Sequence, residues 1–78
     1  MEAEPRYHIN IFFSPADACY VADIPDLRFC SAFGDSPAEA LSEVLVAQEL
    51  YLESCRNHGD PVPMARYRPA IYQVVASA

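Results

Sequence analysis

Hydrophobic and polar side chains alternate from the start of the chain's apolar part. Over residues 7–13, Tyr7, Ile9, Ile11 and Phe13 fall on one side and His8, Asn10 and Phe12 on the other. That period of two predicts a half-buried strand. Ser14-Pro15-Ala16-Asp17-Ala18 has the composition of a turn. Residues 19–24 predict a second strand, ended by Pro25-Asp26, because proline cannot donate to a ladder and holds the residue before it extended. Residues 29–33 predict a short third strand. Such short connections favour antiparallel neighbours in a meander.

At Ser36 the period changes. Ser36 can accept from the free amide of Glu39 while the Glu39 carboxylate reaches back to the Ser36 amide, and Pro37 sits at the first helical position, where no donor is needed. The helix is expected to run to about residue 57, roughly 30 Å long. Leu41, Val44, Leu45, Gln48, Leu52 and Cys55 follow 3,4 spacing and predict the face that packs on the sheet, while Glu39, Glu43, Glu49 and Glu53 lie largely away from it. Arg56 and His58 suit the negative pole of the helix dipole, and Gly59 can take the left-handed stop before Pro61. Residues 60–63 then read as extended and residues 70–75 as a fourth strand.

The expected fold is therefore α+β: an antiparallel sheet of three to four strands with one long helix packed on one face, in the order β-β-β-α-β. It makes a single domain over residues 1–78, with residues 1–6 frayed and residues 64–78 forming a C-terminal extension or the fourth strand. No repeat, low-complexity run or linker divides it.

Three segments in order are more specific than any one of them: Cys19-Tyr20-Val21-Ala22-Asp23-Ile24-Pro25-Asp26-Leu27, Gly34-Asp35-Ser36-Pro37-Ala38-Glu39-Ala40-Leu41, and Gly59-Asp60-Pro61-Val62-Pro63. With the tyrosine-led first strand and Cys30, this run resembles the N-terminal domain of HicB-type antitoxins over roughly residues 7–63. The resemblance implies a partial RNase H-like fold and an antitoxin that binds and occludes a small basic toxin of the HicA type, which cleaves messenger RNA. Full-length HicB antitoxins also carry a C-terminal DNA-binding domain. The sequence up to Ala78 contains no such domain, so operator binding does not carry over.

Charge narrows the partners. The 78 residues hold 11 acids and 5 bases, for a formal charge of −6, and there is no lysine. Every acid lies at or before Asp60, where the only bases are Arg6, Arg28 and Arg56. Direct nucleic-acid binding is not expected, since affinity for a phosphate backbone comes mainly from Lys and Arg. A basic protein fits better. A chain this short buries only about 60% of the surface that it exposes when unfolded, so a partner or second copy would add stability. Three cysteines, Cys19, Cys30 and Cys55, are an odd number without Cys-x-x-Cys spacing. They read as reduced thiols, and with no signal-peptide pattern and no apolar run near 18 residues the expected location is the cytoplasm, with no membrane segment.

Candidate chemistry is sparse. Asp17, Asp23, Asp26 and Asp35 invite comparison with the clustered carboxylates of a two-metal nuclease, but Asp17, Asp26 and Asp35 sit where Asp bonds nearby backbone amides in turns and at helix approaches. His8 and His58 each lack a second ligand at metal spacing. Pairing Cys19 or Cys30 with His8 for nucleophilic catalysis would need a third, orienting group that the sequence does not supply. No enzyme activity, metal or cofactor is expected. An acidic helix face is commonly just solvated, yet beside the lysine-free surface and the family resemblance Glu39, Glu43, Glu49 and Glu53 become a partner-binding face, with Tyr51 as its anchor. Phe12 and Val21 would expose apolar area on the sheet's open face, which predicts a homodimer or higher homo-oligomer. The alternative is an orphan homo-oligomeric module, without a toxin, that binds another protein or a small ligand.

Overall fold

A computed structural model describes residues 6–66. Within it β1 spans Asn10–Ser14, β2 Cys19–Asp23, β3 Ser31–Gly34 and α1 Pro37–His58. The strands form one antiparallel sheet in the order β1-β2-β3, and α1 lies across one face of it, so the fold is α+β as the pattern predicts. The expected fourth strand at residues 70–75 lies outside the described residues.

Both ends of α1 are fixed by local bonds. Ser36 accepts from the Glu39 amide at 3.1 Å, an N-cap worth on the order of 1 kcal/mol. The Glu39 carboxylate does not close the box on Ser36, however; it accepts from the amide of Asp35 at 3.0 Å, one residue earlier. At the other end Gly59 is left-handed, with φ 70. Its amide reaches the Arg56 carbonyl, and that of Asp60 reaches the Cys55 carbonyl at 2.9 Å, which satisfies two of the orphan acceptors of the last turn.

Helix and sheet differ in length, and this decides how the core is built. Twenty-two helical residues extend about 33 Å at 1.5 Å each, whereas strands of four or five residues extend about 13–17 Å. The helix begins against β3, where Gly34 meets Ala40, and runs on past the sheet. Beyond it the core is closed by irregular segments. Ile24 and Leu27 from the β2–β3 connection and Tyr7 from before β1 join Ala22, Cys30, Ala40, Val44 and Leu52 in one buried cluster. Ile24, Leu27, Leu52 and Val44 are its largest fully buried members, each stabilising by roughly 1.5–3 kcal/mol relative to exposure. The connection holds itself in place: the Ile24 amide donates to the Cys30 carbonyl and the Leu27 amide to the Ile24 carbonyl, both at 3.0 Å. The chain after α1 folds back over this end. Tyr7 donates its hydroxyl to the Pro63 carbonyl at 2.6 Å, Ala65 packs on the core, and the Arg66 amide donates to Asp26 at 3.0 Å.

Two strand expectations need correction. Residues 7–9 precede β1, and the covered end of the predicted Tyr7–Ile9–Ile11–Phe13 side is Tyr7 and Ile9 only; Ile11 and Phe13 stand 39% and 51% exposed. The helix lies over β2 and β3 and leaves β1 largely uncovered. Phe29 is not in β3: it sits in the connection at φ 60 and is 94% exposed, beneath the Arg28 guanidinium at 5.6 Å. The helix stripe is also rotated from the expectation. Ala40, Val44, Leu52 and Cys55 are buried, Leu41 is half-buried and Leu45 is 41% exposed.

Candidate functional site: an acidic helix face and an apolar edge strand

The side of α1 turned away from the core is built on steps of four and three. Glu39, Glu43, Val46, Leu50 and Glu53 follow one another along it, with Glu49 alongside. All six are exposed. Val46 and Leu50 show 57% and 62% of their surface, so the acidic face is an apolar pair set among four carboxylates. One of the four is tethered, because Glu39 also bonds the helix approach. Tyr51 does not share this face. It is half-buried and packs against the core, and the exposed apolar side chains beside the carboxylates are Val46 and Leu50. The 4,3 spacing from Glu43 through Val46 and Leu50 to Glu53 was the signal for them.

On the sheet the register aligns a second feature. Phe12 pairs with Val21 and Val21 with Phe33, so the three side chains form a row across the face opposite the helix. Phe12 and Phe33 are 51% and 57% exposed, whereas Val21 retains only 9%. Val21, expected to expose apolar area, is shielded by the two larger rings beside it, cross-strand neighbours whose Cβ atoms stand about 5 Å away. Phe33 was missed because alternation within a strand does not give the cross-strand register that sets it beside Val21. On the helix side of β1, Phe13 packs edge-to-face on Tyr20, with ring centroids 5.3 Å apart.

The other candidates are dispersed over the fold. Asp17 accepts from the Ser14 hydroxyl at 3.0 Å, Asp26 from the Arg66 amide, and Asp23 pairs in register with Asn10 at the sheet's end. His8 lies 2.8 Å from the Asn10 side-chain oxygen, and His58 donates from Nδ1 to the Ser54 carbonyl at 2.8 Å. Among the described residues no group of three or more His, Cys, Asp and Glu side chains could hold a metal ion. The three cysteines are free, Cys30 and Cys55 buried and Cys19 half-buried. Burial, and secondarily the Asp23 carboxylate, push the Cys30 thiol above its ordinary 9.0. No helix among the described residues is long and apolar enough to cross a membrane.

The chain is similar to the UPF0150 protein ssl0259 of Synechocystis sp., with 28% identity over 68 residues that cover 87% of this chain and 93% of that protein. The relative's name states no activity. No protein-family model matches the chain, and no solved structure matches it.

Proposed function

We propose that this chain is an antitoxin-type binding protein, similar to the N-terminal domain of HicB antitoxins, that holds a small basic ribonuclease of the HicA type against the outer face of α1 and inhibits it by covering its RNA-binding surface. The observation that carries the reading is the composition of that face: Glu39, Glu43, Glu49 and Glu53 around exposed Val46 and Leu50. Carboxylates steer a cationic partner into encounter, and a desolvated apolar centre inside a polar rim is where interfaces hold most of their affinity. Inhibition by occlusion requires no catalytic group on this chain. The same reading puts the protein in the cytoplasm, where its three thiols stay reduced. The exposed sheet residues favour a second reading, an orphan homo-oligomeric module with no toxin that binds another protein or a small ligand.

The test is capture of partners by the tagged full chain from its native cytoplasm at low salt, followed by an RNA-cleavage assay of any small basic protein recovered. The expected result is a ribonuclease that the wild-type chain silences and that Glu43→Lys/Glu49→Lys leaves active. Affinity should fall at least about tenfold for that variant at low ionic strength, with the gap narrowing as salt screens the pair. An affinity that is unchanged by the double reversal and independent of salt would remove the helix face from the interface. Recovery of the chain alone would favour the orphan module.

A further inference from the structure

We infer that β1 is the seam of a two-fold homodimer, pairing antiparallel about Phe12 with β1 of a second copy. The inference stands apart from the antitoxin reading. Among the described residues β1 is an edge strand, yet Ile11, Phe12 and Phe13 are all exposed, Phe12 on one face and the other two on the opposite face. A strand apolar on both faces is the pattern of one that is covered on both. Soluble proteins guard free edges with charge, proline or a covering element, and Asn10-Ile11-Phe12-Phe13-Ser14 has no charge and no proline. The other edge differs. On the helix side of β3 lie half-buried Ala32 and buried Gly34, which leaves Phe33 as its exposed apolar side chain.

The occupant follows from the sequence of β1 itself. A two-fold pairing centred on Phe12 sets Phe12 against its own copy, Ile11 against Phe13 and Asn10 against Ser14. Apolar meets apolar and polar meets polar on both faces, which is the self-complementarity that an isologous interface demands. Charge points the same way. In a chain of net charge −6, residues 9–16 are an uncharged stretch through which two like-charged copies can approach. The result is a continuous six-stranded sheet with both helices on one side, and on the other an apolar row, Phe33-Val21-Phe12 continued by the second copy's Phe12-Val21-Phe33.

Area sets the strength. With a phenylalanine burying 150–250 Å² when covered, the exposed halves of Phe12 and Phe13 offer about 100 Å² each. With Ile11 and the backbone edge, β1 supplies about 300 Å² per copy, or about 600 Å² in all. Specific interfaces bury about 1,200–2,000 Å², so β1 provides the register and about half the minimum area, which places the pairing among weak, transient associations. The dimer should therefore dissociate in the micromolar range, as interfaces below the ordinary size do.

The full chain should therefore be followed by sedimentation velocity from roughly 1 to 300 µM, the range such an affinity implies. Wild type should pass from monomer to dimer, and Phe12→Lys, which sets two like charges face to face on the axis, should stay monomeric with an unchanged far-UV circular dichroism spectrum. Phe12→Glu alone should also stay monomeric. An equimolar mixture of Phe12→Lys and Phe12→Glu should recover the dimer, because only a residue on the two-fold axis faces its own counterpart. A wild-type chain monomeric throughout, a Phe12→Lys chain that still dimerises, or a mixture that fails to pair while wild type does would each overturn the inference.

Discussion

A methyl group on Gly34 is expected to be the most damaging small change in this chain. Built on the Gly34 backbone, a Cβ would lie 2.4 Å from the Ala40 nitrogen, 2.8 Å from the Glu39 carbonyl carbon and 2.9 Å from the Ala40 Cα. All three are backbone atoms in the first turns of α1, so no side chain can swing aside, and ordinary contact begins near 3.4 Å. Relief requires the start of the helix to withdraw from β3 by about 1 Å, which loosens the packing of Ala40 and Val44, both fully buried. Overpacking a close-packed core costs about 1–3 kcal/mol, and an obstruction made of backbone sets Gly34→Ala at the upper end, about 3 kcal/mol. For a domain of this size that lowers Tm by about 12–24 °C. Gly59→Ala is the control. A Cβ there meets nothing within 4 Å, but φ is +70, a conformation that costs a side chain about 1–2 kcal/mol. Both substitutions reduce the entropy of the unfolded chain alike, so the difference between them sets the steric contact at Gly34 against the left-handed strain at Gly59. Urea denaturation followed by far-UV circular dichroism measures both. If Gly34→Ala costs no more than Gly59→Ala, the close seating of α1 on β3 is refuted.

Tyr7→Phe should cost about 1 kcal/mol, the net worth of one hydrogen bond, and should speed amide exchange at Arg66 more than at the helix centre, because the Tyr7–Pro63 bond and the Arg66–Asp26 bond secure the same returning segment; equal acceleration throughout would mean that the bond anchors nothing local. Cys30, whose thiol is held above 9.0 first by burial and then by Asp23, gives stability a pH dependence of definite sign: the folded state keeps the thiol proton longer than the unfolded chain, so this contribution is complete below about pH 8 and is lost as pH rises past the ordinary thiol value. Urea midpoints of wild type and Cys30→Ala should diverge less above pH 9 than below it, and iodoacetamide should modify half-buried Cys19 before Cys30; the reverse order of labelling would contradict the burial of Cys30.

Much of the fold was legible because it is written in local rules. Ser36, Pro37 and Gly59 each carry a terminus in their own chemistry, and α1 begins and ends within a residue of where they place it. Pro25-Asp26 likewise ends β2. The rest depends on tertiary packing. Nothing in the alternation of residues 7–13 indicates that the helix will lie over β2 and β3, and it is this offset that turns Ile11 and Phe13 from expected core into exposed side chains. The helix stripe was misphased for a related reason. Leu45 is larger and more hydrophobic than Ala40 and Ala47, but a close seating on Gly34 demands small residues, and alanine does not stand out in an apolar periodicity. Phe29 in a left-handed conformation is likewise invisible to strand propensity, which favours it in β3. At the candidate site the carboxylates could be read directly, whereas the only sign that Val46 and Leu50 are exposed is their 4,3 spacing between Glu43 and Glu53.

One helix is too narrow to finish this sheet. Three strands about 4.8 Å apart present a surface about 14 Å wide, more than the about 10–12 Å of a helix with its side chains, so a helix seated on β3 and β2 leaves the helix side of β1 only partly covered. The chain extends that helix past the sheet and closes its far half with Tyr7, Leu27 and Ala65, but it spends no described residue on β1. Charge is distributed in the complementary way, with the carboxylates of α1 on the side remote from the sheet and none on β1. A second copy meeting β1 would therefore leave both acidic helix faces open, and a basic partner meeting α1 would leave the β1 edge free. Self-association and partner binding would then use separate surfaces, so neither need compete with the other.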